Sequence, residues 1–550
     1  MIWFARFLSF ACGCISLSLE ILWVRYAGFA YRGAPQVFSF VLGMYLVGIA
    51  VGAALGKRYC DRAPGLCAAA GWILVVAGTL DLILPWLFVG GLRAGLLVGV
   101  VTLSAAVVTT ALIKSMVFPI AHHLGSPSAT VPVGSSVSKV YFANIAGATI
   151  GPLVTGFFLL QVLSLQQCLL LFAAATLALG MLCLARSGVA RPAWSAAILA
   201  GGLVLLPLPN RLVPATIRAT VPPEYAGTLH FLIENRYGII HTLQGDDGDD
   251  IVFGGNAYDG RINTDLLKDS NGIARAYVLA ALQAAPKRVL IIGLSGGAWA
   301  RVISAFPAVE RLDIVEINPG YAELVERYPS VRPLLDDPRV RIHADDGRRW
   351  LNRHPREKFD LVVMNTSLYW RAYTSLLLSR EFNQLAQEHL NPGGVFAYNS
   401  TFFWDAFETS RAVFSHVYAF SNLVVCSERD LDGELAHADE RLAAIRIDGY
   451  QVVDPTRPEV AKKIERMVAG VRVFDPAQNS VGRDLEVITD QNMLNEYRYG
   501  RSIFGFLRSE AIFARGVRDA DLSASNARVS TAAASDRTDD SVLGHRWVHP

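Results

Sequence analysis

Two fold classes share this 550-residue chain. The sequence predicts a multi-span α-helical membrane domain followed by a doubly wound α/β sheet with a small β element at its N-terminal side. Three observations predict this. Apolar residues make up 52% of the chain and the mean hydropathy is +0.34, high for a wholly soluble protein. The excess lies before residue 210; beyond it charged residues rise and apolar runs shorten to strand length. In that second half strand-like runs alternate with helical segments, the pattern of a parallel sheet covered on both faces. The expected division is a polytopic helical domain at 1–210, a small β-strand element at 211–285 and a nucleotide-binding α/β domain at 286–520. A polar tail at 521–550, rich in Ser, Ala and Asp, is expected to be disordered.

Candidate spans at 7–30, 36–56, 67–90, 94–118, 139–162 and 165–185 each approach the roughly 20 apolar residues a crossing helix needs. A shorter run at 193–209 is bounded by Pro192 and Pro207. Gly43, Gly48, Gly52 and Gly56, with Gly147 and Gly151, recur near one-turn spacing, which predicts close helix approach. Glu20 is a carboxylate within an apolar run. It marks either a substrate or proton site or a structural ion pair, and Arg25, five residues on, is a candidate to pair with it or to reach the interface. Lys57, Arg58 and Arg62 mark a cytoplasmic connection. Six full crossings then give a multi-pass protein of the cell membrane with its second half in the cytoplasm; a seventh, at 193–209, would put that half outside.

Of seven cysteines, Cys12, Cys14, Cys60, Cys67, Cys168 and Cys183 lie in the apolar half, which leaves Cys426 alone and excludes a disulfide within the soluble half. Cys12 and Cys14, two apart in an apolar run, face different sides of a helix and read as small packing residues rather than a metal pair. A formal charge of +2 without a dense basic block argues against a nucleic-acid partner.

The β element is expected from short runs and tight turns around 234–260, where Tyr237, Tyr258 and Asp259 are substrate-contact candidates. Tyr277, before the first core strand, is another. The apolar strand 289–292 ends at Gly293, and Gly293, Ser295, Gly296 and Gly297 form a turn with almost no side chains to hold a ligand off the backbone. About twenty residues on, Glu316 closes the next strand, where a carboxylate can accept hydrogen bonds from both hydroxyls of a ribose; Ile317 follows it. After strand 340–343, Asp345 or Asp346 is placed to accept from an adenine amino group, with Gly347 leaving room for the ring. Asp346 is equally placed to cap the helix that follows. The strand at 359–364 leads to Asn365, Ser367 and Tyr369, the catalytic candidates, and to Trp370, a substrate contact. None is a strong general base at neutral pH. Asn365 and Ser367 suit a helix cap as well, and the aromatics suit a pocket cover. A fifth strand is expected at 395–399. No metal is called for.

These residues resemble the polyamine aminopropyltransferase (spermidine synthase) family, specifically members fused to a multi-span membrane domain. In the first half the resemblance is carried by Glu20-Ile-Leu-Trp-Val-Arg25 and Tyr141-Phe-Ala-Asn-Ile-Ala-Gly-Ala148. In the second it runs through the glycine turn, Val315-Glu-Ile-Asn-Pro319, Asp337-Pro-Arg-Val340, Asp346-Gly347, Asn391-Pro-Gly-Gly394 and Ile488-Thr-Asp-Gln-Asn492. The resemblance implies a Rossmann-like, class I methyltransferase-type sheet. It also implies decarboxylated S-adenosylmethionine or S-adenosylmethionine as group donor, Glu316 on its ribose, Asp346 on its adenine, and a small amine or other acceptor. The β element would be a lid or a homodimer contact.

The chain also departs from the family pattern. Gly296 stands where the family's Gly-Gly-Gly-Asp-Gly-Gly turn has the acid that holds the aminopropyl nitrogen. Asn365 stands where its fourth-strand loop has a proton-accepting Asp, and the Tyr-His pair before the first core strand is missing, with Tyr277 in that region. Two functions follow: a membrane-integrated transferase moving an aminopropyl or methyl group, or a non-catalytic sensor or transporter that binds a nucleoside or polyamine.

Overall fold

The structure, a computed structural model, describes residues 1–500 apart from 63–64, 127–132, 222–224, 226 and 366. The tail at 521–550 lies outside the described residues. The chain divides into two units, Met1–Ala226 with Ile233–Ile239, and Gly227–Leu232 with Ile240–Pro550.

The first unit is helical: α1 Ile2–Ala30, α2 Gln36–Arg62, α3 Leu66–Arg93, α4 Leu96–Ser115, α5 Val117–Gly125 and α6 Val133–Val154. A π-helical turn at Thr155–Leu159 leads to α7 Leu160–Val162, followed by α8 Leu165–Arg186, α9 Ala193–Leu205 and α10 Leu212–Thr220. Six segments are long and apolar enough to cross a membrane by length and composition: Ile2–Ala30, Gln36–Asp61, Leu66–Arg93, Leu96–Gly125, Val137–Val162 and Leu165–Arg186. Ala193–Leu205 is shorter, so the hydropathy pattern of six long runs and one short one is reproduced.

Glycine lets these helices touch backbone to backbone. A Cβ on Gly147 would stand 2.0 Å from the Phe10 carbonyl oxygen of α1, and one on Gly151 2.3 Å from that of Cys14. On α2, Cβ atoms at Gly48, Gly52 and Gly56 would meet the carbonyl oxygens of Val108, Leu112 and Met116 at 2.6, 2.1 and 2.3 Å. Gly43 does not belong to this series: nothing lies within 4 Å of its Cβ position. Four-residue steps keep Gly48, Gly52 and Gly56 on one face, whereas the five-residue step from Gly43 turns about 140° away.

The same geometry separates Arg25 from Glu20. Arg25 donates instead to the backbone carbonyls of Asn235 (2.5 Å), Arg236 (3.2 Å) and Gly238 (3.2 Å). A charge pair absent from the sequence reading occupies the interior: Lys114 Nζ of α4 lies 2.7 Å from Asp81 Oδ1 of α3, both buried, with the Thr110 hydroxyl 3.5 Å from the same oxygen.

After the helices, β1 Leu229–Asn235, β2 Gly238–Gln244, β3 Asp250–Gly254 and β4 Ala257–Arg261 form a four-stranded sheet in that order, with β2, β3 and β4 antiparallel. The stretch 211–285 is not wholly β, since it also holds α10 and the helix α11 Ala274–Leu282. In α11 apolar residues face both sides, and every residue but Arg275 is buried.

The main sheet contains β5 Arg288–Ile292, β6 Arg311–Glu316, β7 Val340–Ala344, β8 Phe359–Met364, β9 Leu390–Asn399, β10 His416–Phe420 and β11 Leu423–Ser427. A two-stranded ribbon, β12 Arg446–Ile447 and β13 Tyr450–Gln451, stands apart, and β14 Arg472–Val473 completes the main sheet, whose order is β14-β10-β11-β9-β8-β5-β6-β7. The five expected strands are parallel neighbours. The sheet as a whole is mixed rather than parallel, because β11, β10 and β14 extend it antiparallel beyond β9. Its core packs Leu290, Ile292, Val362, Met364, Phe396 and Tyr398 with the helices that cover one face. The chain runs from β5 to β6 on one side and returns to β8 on the other, so the order reverses beside the carboxyl end of β5, where open sheets of this kind bind ligands.

Candidate active site at the carboxyl ends of the core strands

The turn after β5 is bent in the left-handed region at three positions: Gly293 (φ +90°), Ser295 (φ +48°) and Gly297 (φ +79°). Only glycine takes such angles without strain, and Gly293 has a second constraint. A Cβ there would lie 2.8 Å from the Asn365 carbonyl oxygen, so the turns after β5 and β8 touch. Gly296 is enclosed by apolar atoms: its Cβ would meet Ile262 Cγ1 at 2.9 Å and Val252 Cγ2 at 3.1 Å.

Glu316 points at this turn. Its Oε2 accepts the Leu294 backbone N–H and its Oε1 that of Asn318, both at 2.8 Å. Burial pushes its pKa up to about 7, against the pull of those two N–H groups and with the help of the neighbouring Asp259 charge. Ile317 beside it is 56% exposed, an apolar side chain left at the rim. Asp346 takes the capping role: its Oδ1 accepts the Arg349 N–H at 2.8 Å and starts the helix Gly347–Arg353. Asp345 accepts the Asp346 N–H at 2.8 Å and pairs with Arg349 and Arg353. A Cβ on Gly347 would meet Ile292 Cγ2 at 2.5 Å, so this helix start is held tightly against the end of β5.

After β8, the Asn365 N–H donates to the Ile292 carbonyl (3.0 Å), and its Oδ1 lies 3.5 Å from Asn399 Nδ2. Asn399 Oδ1 in turn accepts from Asn422 Nδ2 and the Thr401 N–H, both at 2.9 Å. Neutral amides thus line the end of β9. Ser367 Oγ accepts from Arg371 at 2.6 Å. The Tyr369 ring stacks on Phe403 with centroids 4.5 Å apart, and Trp370 is fully buried.

Asp259 is drawn into the same place by partners that sequence reasoning missed. Its Oδ2 accepts the Tyr321 hydroxyl at 2.5 Å, and its carbonyl accepts the Ser295 hydroxyl at 2.8 Å. Burial raises the Asp259 pKa, while Tyr321 and the Arg371 charge pull it down. A Cβ on Gly254 would lie 2.2 Å from the Tyr321 hydroxyl, and one on Gly255 2.7 Å from Arg371 Nη2. Tyr321, on the helix Gly320–Glu326, and Arg371 sit 62 and 112 residues from Asp259 in sequence (321 − 259; 371 − 259). No local pattern announces them.

The remaining substrate candidates make hydrogen bonds within the protein. The Tyr258 hydroxyl donates to Asn271 Oδ1 (2.7 Å), and the fully buried Tyr277 donates to the Thr264 carbonyl (2.7 Å). Tyr237 belongs to the chain segment grouped with the helical unit, where it is exposed and accepts a hydrogen bond from Arg236.

Residues 276–422 match the family model of the spermine/spermidine synthase domain. Polyamine aminopropyltransferase 2 of Streptomyces coelicolor is 26% identical over 430 residues, 73% of this chain and 76% of that protein. Spermine synthase of Arabidopsis thaliana is 31% identical over 147 residues, 25% of this chain and only 41% of the plant protein's length. Among solved structures, spermidine synthase from Thermotoga maritima aligns with a TM-score of 0.31 and 17% identity, over 49% of this chain and 84% of that one.

Proposed function

We propose that this chain, whose residues 276–422 match the spermine/spermidine synthase domain, is a membrane-integrated transferase whose α/β unit binds an adenosyl sulfonium donor. The donor is decarboxylated S-adenosylmethionine or S-adenosylmethionine, and the acceptor is a small amine. In the transfer, the acceptor nitrogen lone pair attacks a carbon bonded to the sulfonium. The C–S bond breaks with its electron pair passing to sulfur, which becomes a neutral thioether, and the new ammonium releases a proton. Such a displacement gains chiefly from positioning.

The observation that carries this reading is Glu316. Its carboxylate is pinned against the glycine turn at the reversal of strand order, where it can accept from ribose hydroxyls. Ile317 offers an apolar rim to adenine. Six long apolar helices support membrane integration, and the basic connection at Lys57, Arg58 and Arg62 supports a cytoplasmic second half.

The test is calorimetric titration of the full chain, extracted from membranes with detergent, with methylthioadenosine, the thioether product of aminopropyl transfer. Glu316→Ala is expected to weaken binding at least tenfold, since hydrogen bonds to a charged group contribute about 1.5–3 kcal/mol. Unchanged affinity in that variant overturns the adenosyl site, and recovery of the protein without detergent overturns the membrane reading. A binding-only role is favoured by one feature: apart from residue 366, which lies outside the described residues, the turn after β8 offers Asn365 and Ser367 rather than a carboxylate, and Gly296 is walled in by Ile262 and Val252. Donor binding without product across an amine panel would select it.

A further inference from the structure

Beside the turn that would hold the donor, two opposite charges are seated by a gap in the backbone's side chains. Gly254 and Gly255, at the end of β3, have no Cβ; had they one, it would collide with the Tyr321 hydroxyl and with Arg371 Nη2, at 2.2 and 2.7 Å. The glycine pair therefore admits both groups to one place. Tyr321 holds Asp259 Oδ2 at 2.5 Å, and Ser295 of the turn holds the Asp259 carbonyl at 2.8 Å, so the carboxylate is fixed within one residue's reach of the turn. Arg371 donates to Ser367 at 2.6 Å and lies close enough to Asp259 and Tyr321 for its charge to act on both.

A guanidinium stays charged at any working pH, and its planar geometry suits a carboxylate. A diamine or polyamine brings only positive charge. It would be attracted by Asp259 and repelled by Arg371, and like-charge opposition is an effective means of rejecting the wrong ligand. An α-amino-acid group carries an ammonium and a carboxylate on one carbon and satisfies both residues.

We propose that Asp259 and Arg371 together recognise an α-amino-acid group, ammonium on Asp259 and carboxylate on Arg371, so that one co-substrate carries a carboxylate that simple polyamines lack. This rests on the adenosyl-donor reading above and narrows it. The group comes either from the methionine end of intact S-adenosylmethionine or from an amino acid serving as acceptor. Arg371 is a specificity residue in both cases.

The experiment uses the full chain in detergent and needs no turnover. Affinities are measured by calorimetry for S-adenosylmethionine against its decarboxylated form, then, with methylthioadenosine bound, for ornithine against putrescine. Each pair differs by one carboxylate. The wild type is expected to prefer the carboxylated member of one pair at least tenfold, the first pair identifying the donor as its source and the second the acceptor. Arg371→Gln should erase that preference and leave methylthioadenosine affinity within twofold. A wild type that binds methylthioadenosine yet treats both pairs alike, or prefers the decarboxylated members, overturns the proposal without any variant having to fold. A preference that persists in Arg371→Gln overturns it too. Failure of the wild type to bind methylthioadenosine or either donor is the separate result that removes the adenosyl reading itself.

Discussion

Glycine does opposite work in the two units. In the helical unit Gly52 keeps ordinary helical geometry and is needed because a Cβ would sit 2.1 Å from the Leu112 carbonyl oxygen of a neighbouring helix. In the α/β unit Gly293 is needed mainly for its angle, φ +90°, which bends the chain away from β5 and bares the backbone. The buried charges divide in the same way. Lys114 and Asp81 pair with one another between α3 and α4, whereas Glu316, Asp259 and Arg371 gather around the turn after β5, where a ligand would arrive. The lesson is that residue type alone names neither packing nor binding; the surrounding element decides.

The sharpest way to break this contrast is Lys114→Ala, which leaves Asp81 in the interior without its counter-charge. Removing one partner of a buried pair costs about 3–5 kcal/mol, so the thermal midpoint in detergent should fall steeply. Lys114→Met combined with Asp81→Leu should recover most of the loss; a wild-type midpoint in Lys114→Ala would mean the pair does not matter to the fold. Next in size is the contrast between two glycines of one helix. Gly52→Leu drives a side chain into the α4 backbone and should cost about 1–3 kcal/mol or more, whereas Gly43→Ala, facing open space, should stay within about 0.5 kcal/mol of wild type. Equal midpoints for the two would refute the facing assigned to them.

The smallest effect is expected from pH. Glu316 has its pKa raised from 4.5 to about 7 in the fold. The folded state therefore holds this proton more tightly than the unfolded one, and the resulting stability is full below 4.5 and lost as pH rises through about 7. Ligand affinity should run the other way. If only the ionised carboxylate accepts both ribose hydroxyls, methylthioadenosine binding strengthens up to about tenfold from pH 6 to 8, and Glu316→Gln flattens the profile. A flat wild-type profile would separate Glu316 from the ribose.

Much of this architecture was legible in advance because it is written in local pattern. Long apolar runs marked the helices, and the succession of β5, glycine turn and β6 ending in Glu316 was read from its residues. The antiparallel extension was missed although it carried a signal: β10 and β11 are joined by Ser421-Asn422, and Ser421 adopts φ +54°, as a tight hairpin requires. Pairing with Glu20 was one of two roles open to Arg25, the other being to reach the interface, and five helical residues point the two side chains apart. Asp81 with Lys114, and Asp259 with Tyr321 and Arg371, were beyond reach for a different reason. Each is a lone polar residue whose meaning arises only when distant segments are brought together, and periodicity says nothing about such encounters.

The placement of Asp81 and Lys114 on consecutive helices has a bearing on biogenesis. On the membrane reading proposed above, a helix carrying either charge alone enters hydrocarbon at a cost of roughly 2.5–3.5 kcal/mol. Because only a short bend around Ala94 and Gly95 joins α3 to α4, the two can leave the translocation machinery as a hairpin whose charges already cancel. Lys114→Ala would then do more than loosen the finished bundle: less of the newly made chain would reach the bilayer at all.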